Sequence, residues 1–109
     1  MSDINPHDAV DFIYRQAPLY AKAKAERVYL EEFRKSKKAL LMKASDAGAI
    51  NAQEREAYSH PEYVALLEGL KVAVENEETL RWSLVAAQAR VEIWRTESAN
   101  NRSVDRATT

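Results

Sequence analysis

Between Tyr63 and Trp94 the chain repeats a single rhythm. Tyr63, Leu66, Leu70, Ala73, Glu77, Leu80, Leu84, Ala87, Val91 and Trp94 follow one another at alternating spacings of three and four. Nine of these ten residues are apolar, and the run covers more than four heptads. That period belongs to a helix packed lengthwise along another helix. Glu77 is the one polar residue in the seam. Val64, Leu67, Val74, Trp82, Val85, Ala89 and Ile93 lie beside it and widen the apolar face beyond one stripe. Earlier in the chain, Tyr14, Ala17, Ala21, Ala25, Val28, Tyr29, Leu30, Phe33, Leu40 and Leu41 offer a complementary surface.

Punctuation divides this pattern into elements. Asn5-Pro6-His7-Asp8 opens a first helix: Asn5 caps, Pro6 suits the first helical position and Asp8 favours the positive end of the helix dipole. Pro18 lacks an N–H and clashes with the preceding turn, so a kink or restart is expected there. The helix then runs to Asp46-Ala47-Gly48, where Gly48 is expected to stop it in a left-handed conformation. Asn51-Ala52-Gln53-Glu54 reads as a capping box for a short helix to Tyr58, and Ser59-His60-Pro61-Glu62 repeats the signal. The predicted organisation is a single helical domain over 1–109. It has a first helix over 5–46, a short one over 51–58, a long heptad helix over 61–100, and a loose polar tail over 101–109.

Only two glycines and three prolines occur in 109 residues, which leaves little room for hairpins, and strand patterns are missing too. The expected fold is all-α, an antiparallel helical hairpin with a short intervening helix, coiled-coil-like and oligomeric. A turn near residue 50 places residues whose numbers sum to about 100 opposite each other, so Lys22 and Lys24 should approach Glu77 and Glu78, and Lys38 should approach Glu62. Two helices meet along one line only, so the second stripe of the long helix stays wet unless another copy covers it. Leu66, Leu70, Leu80, Trp82, Leu84, Val91 and Trp94 are the residues expected at that oligomer interface.

Charge changes the picture more than bulk composition does. The formal net charge is −1. Residues 15–43 nevertheless carry +6, residues 44–80 carry −6, residues 81–109 carry +2 and the first fourteen carry −3. Hairpin pairing of a basic first helix with the acidic start of the last one explains part of that segregation. With no cysteine, disulfides, thiolate metal sites and cysteine nucleophiles are excluded. The N-terminus lacks the basic and apolar regions of a signal peptide, and no apolar run reaches the roughly 20 residues that span a bilayer. The expectation is a cytoplasmic protein with no membrane partner.

Catalytic constellations are not found. His7 with Asp11, and Glu56 with His60, have metal-ligand spacing, but two ligands do not make a site. There is no phosphate loop, no GxSxG and no HExxH. The pairs Glu31-Glu32 and Glu77-Glu78 diverge by about 100° around a helix. The reading is therefore a non-enzyme, with no cofactor and no metal.

Basic residues carry the remaining signal. Arg34, Lys35, Lys37 and Lys38 form a run on the first helix, and Arg95, Arg102 and Arg106 recur late in the chain. Such runs ordinarily form a solvated helix face; the functional reading is a phosphate-contacting surface. Aromatic residues on the same helices, Tyr20, Tyr29 and Trp94, suit stacking on unpaired bases. The segment Leu80 to Arg95 adds two tryptophans and small residues Ala86, Ala87 and Ala89, a composition that fits an interface.

The layout is an alanine- and lysine-rich first helix, a break, then a long helix closing in Trp94-Arg95 and a polar arginine-bearing tail. It resembles small helical proteins encoded by phages, and is most similar to the UvsY-type recombination mediators. That resemblance implies a helical hairpin assembled into a ring-like oligomer, binding single-stranded DNA and helping to load a recombinase in place of a single-strand-binding protein. The functional expectation is a single-stranded-DNA-binding accessory protein of phage recombination or replication. In the alternative the chain is a structural or adaptor coiled-coil protein, such as an assembly chaperone or an inhibitor of a host protein.

Overall fold

The computed structural model describes residues 4–108, and for Thr108 the backbone alone. Three α-helices account for almost all of them: α1 (Pro6–Ala44), α2 (Ile50–Ser59) and α3 (Pro61–Thr108). No strand occurs among the described residues.

The first helix start follows the sequence. Asn5 Oδ1 accepts hydrogen bonds from the backbone N–H groups of His7 (2.9 Å) and Asp8 (3.3 Å), filling two of the donors a helix leaves open. α1 then passes through Pro18 without interruption. A proline removes one bond from the ladder, and the carbonyl it would have used, that of Tyr14, lies on an exposed turn where water can serve it. Gly48 does not terminate α1, because no glycine among the described residues has positive φ. The helix ends at Ala44, and the Ser45 N–H closes the last turn on the Met42 carbonyl at 3.2 Å.

α2 begins at Ile50, so the expected capping box at Asn51 is not used. Gln53 instead reaches back to donate to the Ala47 carbonyl at 2.9 Å, and Ser45 Oγ accepts from the Ala47 N–H at 3.1 Å. At the start of α3 the cap is His60 and not Ser59. His60 Nδ1 accepts from the Glu62 N–H at 3.0 Å, while Ser59 Oγ turns back to the Arg55 carbonyl. The expected loose tail over 101–109 is helical as far as Thr108. Beyond Gly69 the sequence supplies neither glycine nor proline, so nothing local stops α3. Thr109 lies outside the described residues.

The chain forms two compact units. The first joins the described residues up to Tyr20 with those from Thr79 onward. There the buried residues are Ala9 on α1 and Ala87 on α3, flanked by half-buried Phe12, Ile13, Gln16, Leu80, Leu84 and Val91. The second unit is Ala21–Glu78 and contains part of α1, all of α2 and the start of α3. Its helices run antiparallel, since Lys37 meets Glu62 at 3.4 Å while the earlier Arg27 meets the later Glu77. Ala23, Ala57, Tyr63 and Ala73 form its buried apolar centre.

The α3 seam matches its sequence period. All of its ten positions except Trp94 are buried or half-buried. The α1 surface is different. Tyr14, Ala17, Ala21, Ala25, Val28, Tyr29, Phe33 and Leu40 are exposed, and the inward face is Ala9, Gln16, Tyr20, Ala23, Arg27, Leu30, Arg34, Lys37 and Leu41. Of the ten residues expected to face α3, two are half-buried, Leu30 and Leu41.

Candidate binding surfaces

Glu77 explains why α1 turns its more polar face inward. Its carboxylate is 8% exposed and receives a two-pronged grip from Arg27: Nε to Oε2 at 2.6 Å and Nη2 to Oε1 at 3.0 Å. Arg27 also donates to Glu31 one turn away at 3.0 Å. Glu77 holds the guanidinium well above its ordinary pKa, and Glu31 adds to this against the opposing effect of partial burial. Lys22 and Lys24, the partners expected from a turn centred at 50, are both exposed and replaced by Arg27.

The basic run lies in the same unit and divides by partner. Lys35 Nζ lies 3.4 Å from Glu32, Lys37 3.4 Å from Glu62 and Lys38 3.4 Å from Glu54. Lys38 also sits 4.6 Å from the ring centre of Tyr58, and its pKa is raised first by Tyr58, then by Glu54. Arg34, half-buried on the seam of α1, has no partner among the described residues. It shares a cleft of about 650 Å³ with Lys35, Lys38, Ala39, Met42, Tyr58 and Tyr63. The two tyrosines meet edge to face, centroids 5.4 Å apart. The sequence pattern marks the cations of this cleft but not its tyrosines, because Tyr58 arrives from α2 and Tyr63 fits the period of the seam.

The late arginines lie on α3 in the other unit. Arg95 lies 3.3 Å from Glu92, Arg106 has a contact of its own, and Arg102 is exposed. Trp82 is 58% exposed with the Arg81 guanidinium 4.6 Å over its ring, and Trp94 is 39% exposed. The fold therefore does not bring the two groups of basic residues into one unit.

The residues expected at an oligomer interface also separate. Leu66, Leu70, Leu80, Leu84 and Val91 are half-buried along the seam inside the chain, whereas Trp82 and Trp94 are exposed. The large exposed apolar residues of the second unit lie elsewhere: Val28, Tyr29, Phe33 and Leu40 on α1, Ile50 and Tyr58 on α2, and Val64, Leu67, Val72 and Val74 on α3. Tyr29 and Phe33 stack on each other, rings 5.8 Å apart and 18° from parallel.

Among the described residues there is no group of three or more histidines and carboxylates that could hold a metal ion. No described helix is long and apolar enough to cross a membrane. Comparison with protein-family models, with curated proteins and with solved structures finds no match for this chain.

Proposed function

We propose that this chain is a non-enzymatic structural or adaptor protein that works as a homo-oligomer of helical hairpins. The observation that carries this reading is the wet aromatic face of α1, where Tyr29, Phe33 and Leu40 recur at spacings of four and seven outside the seam. Stacked aromatic rings in water are the usual mark of a contact surface.

A second copy suits this face in both shape and charge. Phe33 immediately precedes the seam residue Arg34, and Gly69 immediately precedes the seam residue Leu70. In antiparallel helices those positions flank the same edge of the seam. Gly69 is mid-helix, where glycine costs about 1 kcal/mol relative to alanine, and a Cβ there would meet nothing within 4 Å in this chain. A two-fold pairing sets the aromatic face of α1 against Ala65, Gly69 and Val72 of the second copy. It also sets a basic segment against an acidic one: α1 over 21–44 has eight basic and three acidic residues, and α3 over 61–78 has five acidic residues and Lys71.

Sedimentation of Tyr29→Glu/Leu40→Glu tests this directly. Both side chains are more than half exposed, so helicity should be kept while the assembly falls to a 12.4 kDa monomer. Wild-type protein that is already a fully helical monomer at micromolar concentration sinks the proposal.

A single-stranded-DNA-binding role of the UvsY type is the second reading. It is favoured by the exposure of Trp82 and Trp94 on a helix that also carries Arg81, Arg90, Arg95 and Arg102. Fluorescence anisotropy of a labelled oligonucleotide tests it. The slope of log affinity against log salt should be about −0.7 per contacted phosphate and flatten in Arg95→Ala/Arg102→Ala. Absence of binding at roughly 50 mM salt removes this reading.

A further inference from the structure

Arg34 and Lys38 are four residues apart on α1, so their side chains lie one above the other with Cβ atoms about 5–6 Å apart. Like charges at that spacing repel. Glu54 answers Lys38 from α2, and nothing among the described residues answers Arg34. Lys35 borders the same cleft with its ammonium mostly in solvent and shared with Glu32. Tyr63, only 7% exposed, and Tyr58 also line it. The cleft thus presents the half-buried residue Arg34, two ammonium groups and two tyrosines.

We infer that this cleft is a phosphate-binding site, with Arg34 as the principal ligand-binding residue and Lys38 and Lys35 completing the charge. A guanidinium offers paired donors that match two oxygens of a tetrahedral anion, where a lysine offers a point charge. A phosphate seated between positions 34 and 38 relieves their repulsion from both sides. The Lys38 ammonium over Tyr58 keeps that ring face covered, so the site recognises the anion and does not stack a base. The inference does not rest on assembly, since a monomer keeps the cleft intact, and the late arginines of the DNA-binding reading lie outside it.

The test uses the full chain and inorganic phosphate, titrated against chloride at constant ionic strength. Backbone amides of residues 34–38 and 58, and the Arg34 Nε–H, are followed by nuclear magnetic resonance. Saturable shifts with a dissociation constant of about 1 mM or tighter are expected in the wild type. Arg34→Gln should lose the saturation while keeping its helical circular dichroism, and Arg34→Lys should bind about tenfold more weakly. Two further probes identify the source of the phosphate. An oligothymidylate that competes with inorganic phosphate and binds more tightly marks the cleft as a backbone phosphodiester site. A nucleoside monophosphate that competes where the oligonucleotide does not marks it as a site for a free phosphomonoester. Shifts that rise linearly, and equally in Arg34→Gln, overturn the inference.

Discussion

The two units are built from the same two helices, yet they are held by different means. In Ala21–Glu78 the helix pair gains a third member, α2. Ala57 of α2 and Tyr63 of α3 are buried, and ion pairs Arg27–Glu77 and Lys37–Glu62 pin α1 to α3 at two heights. In the other unit two helices meet alone, and their buried residues are the alanines Ala9 and Ala87. Alanine lets backbones come close but removes little area from water, so such a contact adds little stability. The lesson is that one continuous heptad period can support regions of very different strength. The difference comes from what else reaches the seam.

Substitutions in the two units should therefore differ in size. The largest effect is expected from Glu77→Leu. It leaves Arg27 partly buried without its two-pronged partner, and the thermal midpoint should fall by roughly 10–20 °C. Arg27→Leu/Glu77→Leu should recover most of that loss, since an apolar pair fills the seam without an orphan charge. A single Glu77→Leu that is neutral or stabilising contradicts the geometry described.

Next comes Tyr63→Ala, which opens the space beneath Tyr58 and should lower unfolding stability in urea by about 3 kcal/mol. A loss below about 1 kcal/mol means that α2 contributes little, and the contrast between the units then disappears.

Trp94→Ala in the weaker unit should cost only about 1 kcal/mol in dilute, monomeric protein, because the ring is already partly in water. The ~3–5 kcal/mol expected of a fully buried tryptophan would place the two units on equal footing. The same substitution measured at concentrations where copies associate separates a role in assembly from a role in the fold.

The smallest effect runs the other way. Arg34→Gln, measured without phosphate, should stabilise the second unit by about 0.3 kcal/mol, through loss of its repulsion from Lys38. Destabilisation would show that Arg34 holds the seam and is no misfit within it.

What the sequence determined by itself is local. The helix start at Pro6 behind its Asn5 cap, the start of α3 at Pro61 and the inward line of α3 follow from capping, from proline at a first helical position and from the heptad period, which involve neighbours along the chain. Termination was less legible. Gly48 was expected to adopt a conformation it does not take, and the polar residues 101–108 stay helical because polarity alone does not end a helix. The inward face of α1 was decided by tertiary structure alone. Its sequence offers two stripes of similar length, one richer in alanine, valine and tyrosine, the other carrying Gln16, Arg27, Arg34 and Lys37. The second stripe brings Arg27 to the buried Glu77, and ion pairing offsets the cost of burying that carboxylate. That choice depends on a residue fifty positions away from Arg27, and no local pattern records it. The same choice leaves Tyr29, Phe33 and Leu40 in water and brings Arg34 to the cleft beside Tyr58 and Tyr63, so the candidate surfaces follow from the packing of Glu77.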